Sequence, residues 1–156
     1  MLALEENEGP GGARCAPPRH HNKMSFDHAS PPLTHAAPTA LDEHALARLR
    51  ELDPGGTNRL MERVVQAFLK SLEQHEPVLE RALQQPADPA TLRHVSHTLK
   101  SAAASLGALD LSRRCADIEG LVREGREDGL DLLLEQALQE LRGARAAMLQ
   151  LLGQPR

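Results

Sequence analysis

The sequence predicts an all-α protein, an antiparallel four-helix bundle with a short additional N-terminal helix, and three observations lead to this prediction. Leucine and alanine, which favour helices, account for 27 and 22 of the 156 residues. Residues that fill the faces of β-sheets are scarce, with five valines, one isoleucine, two phenylalanines and neither tryptophan nor tyrosine. Apolar residues also recur at helical spacing in successive segments joined by short loops, which favours an antiparallel bundle.

Composition also narrows the function. A net charge of −4 argues against a nucleic-acid binder, which must neutralise phosphates, and with only two aromatic residues the chain lacks a stacking platform for single strands. No apolar run approaches the ~18 residues of a membrane span, and the acidic N-terminus is unlike a secretory signal. The two cysteines, Cys15 and Cys115, form no disulfide framework, and we expect a cytoplasmic protein with reduced thiols.

The first 38 residues differ in composition from the rest of the chain. Residues 1–38 contain six of the eleven prolines and three glycines, without sustained periodicity, so we predict a disordered tail followed by a helical domain at 39–152. The segment before Met24 resembles the arbitrary translation of GC-rich nucleotide sequence. We therefore hypothesise that Met24 is the true translation start.

The first two helices are predicted on either side of the turn that Asp53-Pro54-Gly55-Gly56 favours. Thr39 and Asp42 form a candidate capping box for a short helix with an apolar stripe of Leu41, Ala45, Leu46 and Leu49. A longer helix is predicted from about Thr57 to Gln85, with a kink or break near His75 caused by Pro77.

The remaining three helices follow from capping and breaking residues. Asp88-Pro89 predicts the start of the third helix, which ends at Gly107. Asp110 is the predicted cap of the fourth helix, which ends near Gly125. Leucine periodicity predicts the last helix from about Leu130 to Leu152.

The third helix carries the candidate site. At about 100° per residue, its apolar residues share one stripe, comprising Leu92, Val95, Leu99, Ala102 and Leu106. His97 projects about 180° from the centre of that stripe, and we expect it to be exposed. Its neighbours one turn before it are Arg93 and His94, and those one turn after it are Lys100, Ser101 and Ala104.

This arrangement has a chemical use. An exposed imidazole retains a neutral form with a free lone pair at pH 7, and such a nitrogen can attack phosphorus. The product carries nearly two negative charges. Lys100, predicted to be exposed, would stabilise that charge as cations do in phosphoryl transfer, and Arg93 would add a second cation.

Two simpler interpretations remain open at this point. The histidine and its neighbours are also compatible with an ordinary solvated helix face. His94 and His97, three residues apart, are compatible with half of a metal site, but no second pair at similar spacing completes it, so no metal is expected. No catalytic triad, phosphate-binding glycine loop or zinc motif is present.

The same residues resemble a known family. The segment HTLKSAAASLGA, residues 97–108, resembles the signature of histidine phosphotransfer (HPt) domains, H-x-L-K-G/S followed by a glycine. The resemblance extends over about residues 41–150 and includes Leu52-Asp53-Pro54, the segment around Phe68-Leu69, the helix start at Asp88 and the segment CADIE at 115–119.

The resemblance implies roles for individual residues. His97 would be the phosphoacceptor and Lys100 would stabilise the phosphoryl group. Ser101, which replaces the more frequent glycine, and Ala104 would lie beneath the incoming partner, and Gly107 would allow a close approach at the helix end.

Glu119 stands where some members of the family have a glutamine that bonds the active histidine. If Glu119 reaches His97, it would orient the ring by accepting its N–H and would oppose the added negative charge. Arg93, His94 and Glu119 complete the set of candidate binding residues.

The resemblance also implies the activity. HPt domains take a phosphoryl group from the aspartyl phosphate of one receiver domain and pass it to another, between hybrid histidine kinases and response regulators. The chain would be a monomeric carrier rather than an autonomous enzyme, with no cofactor of its own, because magnesium belongs to the receiver. The alternative is a helical adaptor that binds a receiver or response regulator without being phosphorylated.

Docking is expected on the first helix and the outer faces of the second and third helices. An interface needs a desolvated apolar centre, for which Leu46 and Leu49 are candidates. Their alternative role is to cap the bundle.

Overall fold

The computed structural model describes residues 39–153, and the predictions for residues 1–38, including Met24, lie outside them. The described residues form five helices and no strand. The helices are α1 (Glu43–Glu51), α2 (Leu60–Gln84), α3 (Pro89–Ser105), α4 (Leu109–Arg123) and α5 (Leu130–Gly153). The prediction of an antiparallel four-helix bundle with a short first helix is confirmed.

A single aliphatic core holds α2 to α5 together. Leu72, Leu99, Leu111, Ile118 and Leu141 are each fully buried in it. Cys115 is also buried, and burial raises the pKa of its thiol to about 12, so it acts as a small apolar residue rather than a nucleophile. None of the helices within residues 39–153 is long and apolar enough to cross a membrane.

The start of α3 agrees with the prediction. Asp88 is the N-cap residue, and its carboxylate accepts the backbone N–H of Thr91 at 2.8 Å and the Thr91 hydroxyl at 2.6 Å. Pro89 occupies the first turn, where its missing N–H leaves no hydrogen bond unmade. This cap fixes the residue at which α3 begins.

Two predicted caps are wrong. The N-cap of α1 is Asp42, which accepts the Ala45 N–H at 3.0 Å, whereas Thr39 binds α5 through its N–H to the carbonyl of Gly143 at 3.3 Å. The second error is Asp110, which lies inside the first turn of α4 and pairs with Arg113. An acidic residue within the first turn also interacts favourably with the helix dipole, so the sequence does not distinguish an aspartate at the N-cap from one inside the first turn.

The second helix differs from the prediction at its start and in its middle. It begins at Leu60 rather than Thr57, because the Asp53 carboxylate accepts the backbone N–H groups of Asn58 (3.2 Å) and Leu60 (3.1 Å) and holds the preceding turn. No break occurs near His75, since α2 continues through Pro77. Pro77 lies on the exposed side of α2, where water can satisfy the carbonyl that the proline leaves unpaired.

The predicted apolar stripe of α3 is correct at four of its five residues. Leu92, Val95, Leu99 and Leu106 are buried as predicted. Ala103 is fully buried and Ala102 only partly, because α3 packs between α2 and α4 and its buried surface is wider than one stripe.

The first helix caps the bundle. Leu46 is 1% exposed and Leu49 packs against the core, so the alternative role of these residues is correct and Leu46 offers no apolar docking patch. The segment before α1 is fastened to the end of α3 by a hydrogen bond from the Asp42 N–H to the Gly107 carbonyl at 2.9 Å.

Gly107 is required for this contact. Its φ of +79° is disfavoured for other residues, and a Cβ atom at this position would lie 2.8 Å from both the backbone nitrogen and oxygen of Asp42. Gly107 therefore allows a close approach at the helix end, as expected, but the segment that approaches is the backbone of the same chain at Asp42.

We predict that Gly107→Ala destabilises the bundle more than Gly129→Ala. Gly129 has nearly the same φ, +80°, but open space around the added Cβ, so its substitution lowers the free energy of unfolding by about 1–2 kcal/mol through backbone strain alone. Gly107→Ala adds the clash with Asp42, about 1–3 kcal/mol more. Urea unfolding of both variants measures the difference, and equal losses would contradict the proposed close approach.

Candidate functional site

His97 lies in the middle of α3 with its ring outside the bundle. Its side chain is 62% exposed, while Val95, Ser96 and Leu99 beside it are buried. The predicted exposure of His97 is therefore observed, and the ring is open to another molecule.

Glu119 of α4 joins the two candidate residues of α3. One carboxylate oxygen, Oε1, lies 3.1 Å from Nδ1 of His97, and the other, Oε2, lies 2.6 Å from Nζ of Lys100. The Ser112 hydroxyl, also on α4, donates to the Lys100 carbonyl at 2.9 Å. These contacts fix the register of α4 against α3 at the level of His97.

The bridge determines which nitrogen of His97 is free. The hydrogen bond from Lys100, together with that from His97 and their charges, lowers the pKa of Glu119 despite its partial burial. The ionised carboxylate only accepts hydrogen bonds, so Nδ1 carries the hydrogen and the neutral ring has its lone pair on Nε2. Nε2 has no hydrogen-bond partner in residues 39–153.

Lys100 is less exposed than predicted. Its side chain is 32% exposed, and its ammonium lies 2.6 Å from Oε2 of Glu119 on α4. The charge of the ammonium is therefore already matched by the carboxylate that also contacts the His97 ring.

A surface depression surrounds the histidine. Ala90, Arg93, His94, His97 and Glu119 line it. Arg93 and His94 are exposed, and Arg93 forms no ion pair within the described part of the chain. The structure thus brings together four predicted site residues and adds Ala90, which sequence reasoning missed because alanine carries no chemical signal.

The small residues beyond His97 are exposed as expected. The Ser101 hydroxyl donates to the His97 carbonyl at 3.1 Å, which keeps it against the helix backbone, and Ala104 is exposed one turn further. Gly107 lies outside this cluster, ten residues or about 15 Å along the helix axis from His97.

One further histidine lies near the site. Burial lowers the pKa of His75 on α2, and the charge of His94 lowers it further. The sequence contains no signal for this proximity, because it depends on the register between α2 and α3. No group of three or more histidine, cysteine, aspartate or glutamate side chains suited to a metal ion occurs among residues 39–153.

Comparison with known proteins places this geometry in a family. The Hpt domain family model matches residues 63–150, more than half of the chain. Histidine-containing phosphotransfer protein B (HptB) from Pseudomonas aeruginosa PAO1 is similar in structure, with a TM-score of 0.64 and 28% identity over 74% of this chain and 96% of that chain.

Two plant structures are also similar. The histidine-containing phosphotransfer protein ZmHP2 from maize has a TM-score of 0.58 and 29% identity, over 72% of this chain and 85% of its own. A rice protein described as a putative histidine-containing phosphotransfer protein shares the fold, with a TM-score of 0.55 and 24% identity over 72% of this chain and 83% of its own. No curated protein sequence matches the chain.

We predict that the free energy of unfolding falls at low pH partly because Glu119 becomes protonated. Because folding lowers the pKa of Glu119, its contribution to stability is present above the unfolded-state pKa and is lost as the pH falls through the folded-state pKa. The difference in unfolding free energy between the wild type and Glu119→Gln should therefore narrow between pH 6 and pH 3. Urea unfolding at several pH values measures it, and a constant difference would contradict the bridge.

Proposed function

The chain belongs to the Hpt domain family, and from this premise we propose that it carries a phosphoryl group on His97 between two receiver domains of a phosphorelay. The observation that supports the proposal most directly is the exposed ring whose Nδ1 is bonded to Glu119 and whose Nε2 is open.

The transfer step follows from this tautomer. The Nε2 lone pair attacks the phosphorus of a receiver aspartyl phosphate. The N–P bond forms as the P–O bond breaks, and the electron pair of that bond remains on the aspartate carboxylate. The His97 ring keeps its hydrogen on Nδ1 and gains positive charge, which the carboxylate of Glu119 balances. Reversal of the same step delivers the group to a second receiver.

Lys100 stabilises the phosphorylated state in this proposal. The phosphoryl group adds nearly two negative charges close to Glu119, and the ammonium of Lys100, which lies 2.6 Å from Glu119, would offset part of this charge. An ammonium has three N–H donors, so Lys100 can bind a phosphoryl oxygen while it remains paired with Glu119.

The chain acts as a phosphoryl carrier rather than an autonomous enzyme in this proposal. It supplies the nucleophile and a docking surface, and the receiver supplies the magnesium ion and most of the catalytic groups. The face of α3 around Ser101 and Ala104, together with α1 and α2, would contact the receiver, and the carrier would act as a monomer in the cytoplasm.

We predict that His97→Gln abolishes phosphorylation. Incubation of the wild type with a phosphorylated receiver should give an acid-labile, base-stable label, whereas the variant should remain unlabelled because an amide lacks a nucleophilic ring nitrogen. Glu135→Gln, which changes an exposed side chain on α5 outside the proposed docking surface, is the control and should keep the label. Label on the His97 variant would exclude His97, and receiver binding without any label would favour the adaptor.

We predict that Lys100→Ala slows transfer from the receiver by about tenfold, the equivalent of about 1.4 kcal/mol of lost charge stabilisation. The substitution removes a cation that would stabilise the phosphoryl group, and it also leaves the Glu119 carboxylate without its cation. The fold should persist, since a partly exposed ion pair contributes about 1 kcal/mol or less. Rapid-quench kinetics at a saturating concentration of phosphorylated receiver measure the rate of phosphoryl transfer separately from docking. Lys100→Arg, which keeps the charge, should retain more activity, and a wild-type rate for Lys100→Ala would refute this role.

A further inference from the structure

We propose that Arg93 is the residue that supplies the uncompensated positive charge to the phosphoryl group on His97. This inference deepens the proposed function and rests on it, because it concerns how the same site holds its anion. It assigns to Arg93 a binding contact with the phosphoryl oxygens, and it separates this contact from the part played by Lys100.

The charges around His97 support this division. Glu119 lies 2.6 Å from the Lys100 ammonium, so this pair contributes no net charge before the phosphoryl group arrives. Arg93 is the remaining full charge among the residues that line the depression, and it has no ion pair within residues 39–153. When a phosphoryl group with nearly two negative charges is added to His97, Arg93 is therefore the nearby cation whose charge no carboxylate of the described residues already balances.

The position of Arg93 on α3 also fits. It lies four residues before His97, so the two side chains share one face of the helix with Cβ atoms about 6 Å apart. Helical side chains lean towards the N-terminus of their helix, which brings the His97 ring over the turn that carries Arg93. The two residues accordingly line the same depression, whereas Lys100, three residues after His97, is paired with Glu119.

The chemistry of the guanidinium suits this role. It presents several N–H donors in one plane, matches the spacing of phosphoryl oxygens and keeps its charge at any physiological pH. Because Arg93 is exposed, water screens the contact. We expect it to change rates by about fivefold, the equivalent of about 1 kcal/mol.

The test uses a small phosphodonor so that docking does not enter. Phosphoramidate phosphorylates the ring as Nε2 attacks phosphorus, the P–N bond of the donor breaks and ammonia leaves. The initial rate of phosphorylation at His97 is measured for the full-length wild type, Arg93→Ala and Arg93→Lys. Arg93→Ala should be about fivefold slower, Arg93→Lys should recover part of the loss, and added salt should slow the wild type more than Arg93→Ala.

A matched control separates this role from general charge. Arg63→Ala removes an equally exposed arginine in the first turns of α2, at the end of that helix remote from the start of α3, and should phosphorylate at the wild-type rate. Far-ultraviolet circular dichroism and urea unfolding establish that every variant is folded. An equal loss in Arg63→Ala, or no loss in Arg93→Ala, would overturn the assignment of Arg93.

The outcome also distinguishes the inference from the proposed function. Phosphorylation of His97 that is independent of Arg93 overturns only the inference. Absence of label on His97 with both phosphoramidate and a phosphorylated receiver overturns the proposed function, and the inference with it. Slower labelling of Arg93→Ala that Arg93→Lys partly recovers, together with a weaker salt dependence in Arg93→Ala than in the wild type, supports both.

Discussion

The carboxylate of Glu119 is the interaction on which the site depends. It binds the ring nitrogen Nδ1 of His97 and the ammonium of Lys100 at once, and so links α4 to the exposed side of α3. The ring of a surface histidine without such a partner rotates freely and exchanges between its two neutral tautomers. The fixed carboxylate gives the ring one orientation and leaves Nε2 facing solvent, which is the state that a nucleophile requires.

This bridge requires a rigid register between α3 and α4. Asp88 fixes the start of α3, the Ser112 hydroxyl ties α4 to the Lys100 carbonyl, and the loop at Gly107 turns the chain within a few residues. The core consists mainly of leucine and alanine, and these polar contacts at helix ends and across the α3–α4 interface act together with core packing and the turns in aligning α3 with α4.

The same bridge would set the electrostatics of the proposed phosphorylation. Glu119 would favour the positive charge that the ring gains when it is phosphorylated, and it would oppose the phosphoryl dianion that the ring then carries. Such opposing effects suit a carrier, because a group that is held neither too strongly nor too weakly can be passed in both directions. In the proposed transfer, the cations Lys100 and Arg93 would have different parts in this balance, because Lys100 is paired with the carboxylate and Arg93 has no ion pair within the described residues.

The sequence by itself determined the helices, the exposure of His97 and the family, because periodicity, composition and a short motif are local properties. Only the tertiary structure decided that Glu119 reaches His97, that Lys100 is already paired, and that Leu46 is buried rather than available for docking. These facts depend on the register between helices distant in sequence, such as the 22 residues that separate His97 from Glu119. Helical periodicity gives the direction of a side chain about its own axis, but which neighbouring helix it meets, and at what height, is set by packing and by the turns between helices.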